Sequence, residues 1–269
     1  MNKHSLDLSF LCKKVCEAAL EAGAYIREEQ NRFIPQDSEE LKSFNSLVSY
    51  VDRTAEQMLV SRLLDLLPES GIIGEEGVDE RPGEDYTWII DPLDGTTNFI
   101  HGIPCYAVSI ALKFHNELLI GVVYEISKDE CFYAWKDGGA YLNGAPIKVS
   151  PRTELRESLL ATGFPYYDFG KINKYLTLLQ DLMQVTRGIR RLGSAATDLA
   201  YVACGRFESF YEYGLSPWDV AGGAIIVQEA GGLVTDFSGG DNYVFGNEIV
   251  ASCPAVHEGM LEVIRKHAL

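Results

Sequence analysis

The 269-residue sequence is short of basic residues: 23 Lys and Arg stand against 39 Asp and Glu, for a formal charge of -16. Such a surface repels a polyanionic duplex, so nucleic acid is not an expected partner. No run of 18 apolar residues occurs, which argues against a membrane-spanning helix. Asp7 interrupts the start where a secretory leader needs its apolar stretch, and a cytoplasmic location without membrane association is expected. The six cysteines (Cys12, Cys16, Cys105, Cys131, Cys204, Cys253) include no C-x-x-C pair. They read as reduced, mostly buried thiols, with Cys12 and Cys16 spaced to share one helix face. There is no Pro/Ser-rich linker, long charge block or repeat, so a single unit over 1–269 is expected, with approximate halves 1–150 and 151–269.

What is present suffices for a full core, at 46% apolar residues. Apolar spacing predicts helices over 6–29 and 52–67, the second with Asp52 near its start. Residues 86–90, 107–114, 118–125 and 131–134 read as strands, joined in part by turns at His115-Asn116 and Asp137-Gly138. After Pro151, strand-like segments (158–162, 208–212, 232–237, 249–252) and a short unassigned segment over 188–192 are interleaved with helical ones (171–185, 195–204, 218–230, and from 255), which indicates stacked helix and sheet layers.

The acids are not spread evenly in meaning. In Trp88-Ile89-Ile90-Asp91-Pro92-Leu93-Asp94-Gly95-Thr96-Thr97-Asn98-Phe99, a buried-looking strand ends in two acids three residues apart. Pro92 fixes φ, so the chain can turn the Asp91 and Asp94 carboxylates and the Leu93 carbonyl toward one point. Hard oxygen ligands of this kind suit magnesium, manganese or calcium rather than zinc. Gly95-Thr96-Thr97 follows with small residues and free N–H groups, the arrangement that cradles a phosphate. A bare D-x-x-D-G also fits an ordinary capped turn; the full string is far more specific. Glu75, in Gly74-Glu75-Glu76-Gly77, stands either at a strand end or at the head of a solvated acidic loop. Asp219, in Ser216-Pro217-Trp218-Asp219-Val220-Ala221-Gly222-Gly223-Ala224, falls in the first turn of a helix, where complementing the dipole and binding a cation are compatible. For a chain this acidic, bound divalent cation is also the simplest way to accept a phosphorylated substrate.

The strings GEEG, WIIDPLDGTTNF and SPWDVAGGAIIVQEAGG, in that order and spacing, resemble the inositol monophosphatase family across nearly the whole chain. The resemblance implies an α/β fold, an αβαβα sandwich of the inositol monophosphatase and fructose bisphosphatase type. It also implies Mg2+, two or three ions per site, lithium inhibition and a homodimer. Matched residue by residue, the metal ligands are Glu75, Asp91, the Leu93 carbonyl, Asp94 and Asp219. Gly95 and Thr96 hold the phosphate, and Asp52 works with Thr96 to orient the attacking water, with Glu75 also counted in the catalytic set. Glu212 matches the acid that accepts from ring hydroxyls, and Gly193-Ser194-Ala195 the substrate loop; Asp94 and Asp219 face the substrate as well.

Two departures stand out: Tyr50 and Val51 precede Asp52, and Thr162-Gly163-Phe164-Pro165-Tyr166-Tyr167 replaces a polar loop, its aromatics lining the pocket or packing at a dimer contact. His101 reads as a loop histidine, and Arg190 and Arg191 as surface or subunit-interface cations. The expected activity is Mg-dependent hydrolysis of myo-inositol monophosphate. The D-P-x-D-G-T core is shared with phosphatases of sugar bisphosphates, histidinol phosphate and 3'-phosphonucleotides, and Lys171, Lys174, Arg187, Arg190 and Arg191 leave room for a second anion. A regulatory, protein-binding role on the same scaffold is the remaining alternative.

Overall fold

Residues 6–32, 40–165 and 169–267 are described by the computed structural model, without the side chains of 40–49. Helix α1 (Leu8–Arg32) buries Leu11, Cys12, Val15, Ala18, Ala19, Ala22 and Ile26, a stripe along one face. Asp7 caps it by accepting from the Phe10 N–H at 2.9 Å. Its neighbour α2 spans Glu40–Leu66, so Asp52 lies in the helix interior and not near its start. The stretch 40–51 contains neither Gly nor Pro, so nothing halts the helix before Asp52.

Both helices cover one face of a seven-stranded sheet laid out in chain order. Its strands are β1 (Gly71–Gly74), β2 (Tyr86–Asp94), β3 (Ala107–Phe114), β4 (Glu117–Glu125), β5 (Glu130–Trp135), β6 (Gly139–Leu142) and β7 (Ala145–Ile147). β1 pairs parallel with β2, and the later pairs are antiparallel. His115 and Asp137 take φ of 51° and 60°, as tight hairpin turns demand. β6 and β7, too short to show a period, escaped the sequence pattern. The same holds for the one-turn helix α3 (Thr96–Ile100) between β2 and β3.

The second half adds β8 (Leu159–Thr162), α4 (Ile172–Val185), β9 (Gly188–Arg190), α5 (Ala195–Ala203), β10 (Ser209–Tyr213), α6 (Pro217–Glu229), β11 (Leu233–Thr235), β12 (Glu248–Ser252) and α7 (Pro254–Arg265). The strands form a five-stranded sheet in the order β11-β12-β10-β8-β9. α5 and α6 lie between the two sheets, and α4 and α7 cover the far face, giving the αβαβα layering. Burial of every residue from Val220 to Val227 explains why α6 is apolar all round: sheet faces it on both sides. All six cysteines are free, with Cys12, Cys105, Cys131 and Cys253 buried and Cys16 and Cys204 half-buried.

Candidate metal and phosphate site

The end of β2, the start of α5 and the start of α6 meet at a cavity of about 360 Å³. Strand pairing between β2 and β3 shifts register between Asp91 and Asp94, which frees the chain to turn there. Asp91 is buried, and its Oδ1 accepts from the Leu93 N–H at 2.9 Å. Gly95 follows at φ 90°, a left-handed conformation that lets the chain drop into α3. Asp94 reaches the N-terminus of α5: its Oδ2 accepts from Ser194 Oγ at 2.6 Å and from the Ala196 N–H at 2.7 Å. Asp219 Oδ2 accepts from the Ser216 N–H at 2.7 Å, capping α6. One oxygen from each of Asp91, Asp94 and Asp219 lies within 4.8 Å of the others.

Such crowding shows in the proton affinities. Burial, then the charges of Glu75, Asp94 and Asp219, hold the Asp91 carboxyl well above the usual range. Burial pushes Asp94 up to about 6 against the opposing bonds from Ser194 and Ala196. Asp219 rises to about 8 through burial and the Asp94 charge. Glu75 is raised to about 7 by the low-water surroundings of its carboxyl and by Asp94, Glu76 and Glu56, with its hydrogen bond to Asp91 pulling the other way. Because its side chain is exposed at the cavity rim, water screens much of this effect.

Of the residues singled out in the sequence, Glu75, Asp91, Leu93, Asp94, Gly95, Thr96, Gly193, Ser194, Ala195, Glu212 and Asp219 all line this one cavity. Glu75 stands beside the aspartate triad, outside the 4.8 Å group. Thr96 Oγ1 donates to the Leu93 carbonyl at 2.9 Å. Asp52 does not line the cavity; it is buried on α2, with Oδ1 lacking a hydrogen-bond partner. Burial and the charges of Glu76, Glu75 and Glu56 push it up to about 8. Glu212 is buried on β10, its carboxyl driven well above the usual range by burial and by Asp219, with Arg191 opposing. His101 is exposed and away from the cavity. Phe164 lines it, whereas Tyr166 and Tyr167 lie outside the described residues.

Four further residues shape the site. Arg191, read from sequence as a surface or interface cation, lines the cavity with its guanidinium 6.0 Å from the Phe164 ring centroid. Asn98 Nδ2 donates to the Cys105 and Leu192 carbonyls at 2.7 and 2.8 Å, tying the Gly95 turn to the Gly193 loop. Its place in the D-G-T-T-N string was the available signal. Glu56 accepts from the Glu76 and Val78 N–H groups at 3.0 and 2.7 Å and so fixes the loop that carries Glu75. Only its spacing of one helical turn from Asp52 pointed to it. Asp198, inside the apolar run of α5, carried no sequence signal at all.

A hard divalent cation fits this donor set. The described lining offers carboxylates and no His or Cys, and the crowding that raises the proton affinity of the three aspartates is what a bound cation would relieve. The model of the inositol monophosphatase family matches residues 7–269. Nus factor SuhB of Pseudomonas aeruginosa is 46% identical over 231 residues, covering 84% of this chain and 85% of that protein. Inositol-1-monophosphatase of Mesorhizobium japonicum is 38% identical over 259 residues, covering 96% and 97%. The solved structure of inositol monophosphatase from Anabaena superimposes with a TM-score of 0.83 at 34% identity, covering 97% of each chain.

Proposed function

Because the chain belongs to the inositol monophosphatase family, we propose that it hydrolyses the phosphate monoester of myo-inositol with the help of magnesium. The observation that carries this reading is the convergence of Asp91, Asp94 and Asp219 beside the Gly95–Thr97 turn, with Glu212 on the same cavity wall. Magnesium held by the triad, with Glu75 and the Leu93 carbonyl, would neutralise phosphate oxygens and make water acidic enough to react near neutral pH. Two or three ions, lithium sensitivity and a two-chain assembly follow the family likeness and belong to the same proposal.

The chain's own groups account for the remaining steps. Gly95 and Thr96 hold the phosphate through backbone N–H groups. Asp52, buried with one unpartnered oxygen, is the group that takes up the proton of the attacking water through Thr96. In this arrangement the Thr96 hydroxyl turns from the Leu93 carbonyl, its partner in the resting chain, toward Asp52. Glu212 and the loop Gly193–Ala195 orient the alcohol, so that its leaving oxygen stays in line.

Arg191 is the sole Lys or Arg among the described residues lining the cavity, which favours one phosphate over a bisphosphate. A panel of inositol 1-phosphate, fructose 1,6-bisphosphate, histidinol phosphate and a 3'-phosphonucleotide, each with magnesium or with chelator, decides the substrate. Preference for inositol 1-phosphate by at least tenfold in kcat/KM supports the reading, and preference for another ester overturns it. A second reading, an interaction role independent of turnover, is favoured by the relative named Nus factor SuhB. Restoration of growth in a deletion strain by an inactive Asp94→Asn protein would establish it.

A further inference from the structure

Beyond the residues already assigned, the cavity wall carries one more acid. Asp198 is only 1% exposed and lines the cavity, yet its Oδ1 is enclosed without a hydrogen-bond partner. It sits on α5 one turn beyond Ser194, whose carbonyl accepts from the Asp198 N–H at 2.9 Å. All nine residues of α5 are buried, and apart from Thr197 and Tyr201 the rest of the helix is apolar or small. Packing alone therefore calls for an apolar side chain here, and an orphaned buried carboxyl needs another reason. Its charged surroundings are Glu212, Asp94 and Arg191, with Glu212 the strongest repulsive neighbour.

Two adjoining acids at the alcohol end of a cavity are best satisfied by groups that donate hydrogen bonds and bring no negative charge. Hydroxyls do this. The metal triad does not include Asp198 or Glu212, so a cation held by the triad alone leaves the orphaned Asp198 oxygen without a partner. We propose that Asp198 is a specificity-determining residue that hydrogen-bonds a hydroxyl of the substrate's alcohol half, next to the hydroxyl bound by Glu212. The site then selects esters whose alcohol carries neighbouring hydroxyls. This rests on the polyol-phosphate reading above and extends it to a residue that reading does not use.

The test compares native protein, Asp198→Ala and Asp198→Asn on myo-inositol 1-phosphate and on phenyl phosphate, which lacks hydroxyls, both with magnesium. The quantity read is the ratio of kcat/KM for the two esters. Loss of one hydrogen bond to a buried carboxyl lowers this ratio on the order of tenfold in Asp198→Ala, mostly through KM for the inositol ester. Asp198→Asn recovers part of it, and inhibition by free myo-inositol weakens in parallel. Should Asp198→Ala not fold, the size-matched Asp198→Asn carries the test, with the ratio lowered roughly threefold or more. A ratio unchanged in the variants, or equal losses on both esters, overturns the role of Asp198 while leaving the polyol reading standing. Native protein that cleaves phenyl phosphate but not the inositol ester overturns the polyol reading, and this proposal with it.

Discussion

Replacing Asp94 with Asn should make the metal-free protein more stable while abolishing its turnover. Asp94 is half-buried, and its carboxyl is pushed from 3.8 to about 6. A shift of that size corresponds to roughly 3 kcal/mol of penalty on the ionised form, reduced by solvent at the cavity mouth to about 1–2 kcal/mol. The folded-state value is raised, so the native chain enjoys full stability below 3.8 and loses it as pH climbs through about 6. Asn carries no charge, and its carbonyl can still accept from Ser194 and Ala196. In chelator at pH 7.5, Asp94→Asn should therefore melt several degrees above native protein, at about 2–4 °C per kcal/mol for a chain near this size. The gain should shrink to nothing on acidification toward the ordinary aspartate range. Adding magnesium reverses the order, because native protein gains a cation and the variant does not. Phosphate release should drop by on the order of 100-fold or more. A lower melting temperature in chelator would mean that the Asp94 charge does not burden the fold, and an undiminished magnesium response that it does not hold the cation.

Three other outcomes follow. Asp52→Asn should slow turnover by roughly 100-fold while keeping the magnesium-induced rise in melting temperature, since Asp52 stands outside the cavity and in the proposed mechanism only accepts the proton; loss of both would make it a ligand. Gly95→Ala forces a Cβ at φ 90° to within 3.0 Å of the Cys105 carbonyl, and urea unfolding should register a loss of about 1–3 kcal/mol. His257 is buried on α7 with Nδ1 unpartnered, and burial lowers its proton affinity from 6.5. Its contribution is present above pH 6.5 and fades as pH falls through the lowered folded value, so His257→Gln should flatten the acid side of the stability profile. An unchanged slope would remove His257 from that role.

Sequence patterns read well wherever one local rule dominated. The apolar stripe of α1, the β-branched runs of β3 and β4, and the turns at His115 and Asp137 each carried their own signal. The cavity-lining acids were legible because Asp91, Asp94 and Asp219 sit at element ends, where turn and cap chemistry leaves a recognisable string. The start of α2 was not, since nothing in 40–51 stops a helix before Asp52. Glu56 and Asp198 looked like ordinary helix residues; their importance comes from what tertiary packing encloses around them. Arg191 is exposed, in line with its reading as a surface cation; that it also lines the cavity follows from the approach of the β9–α5 loop to β2, which no local pattern shows.

Crystals grown with manganese, and anomalous scattering recorded at the manganese edge, show whether the three aspartates share a cation. Anomalous peaks bridged by Asp91, Asp94 and Asp219, beside the Gly95 turn, are the predicted result. Full occupancy of manganese elsewhere, with the three aspartates bound only to protein and water, would contradict it.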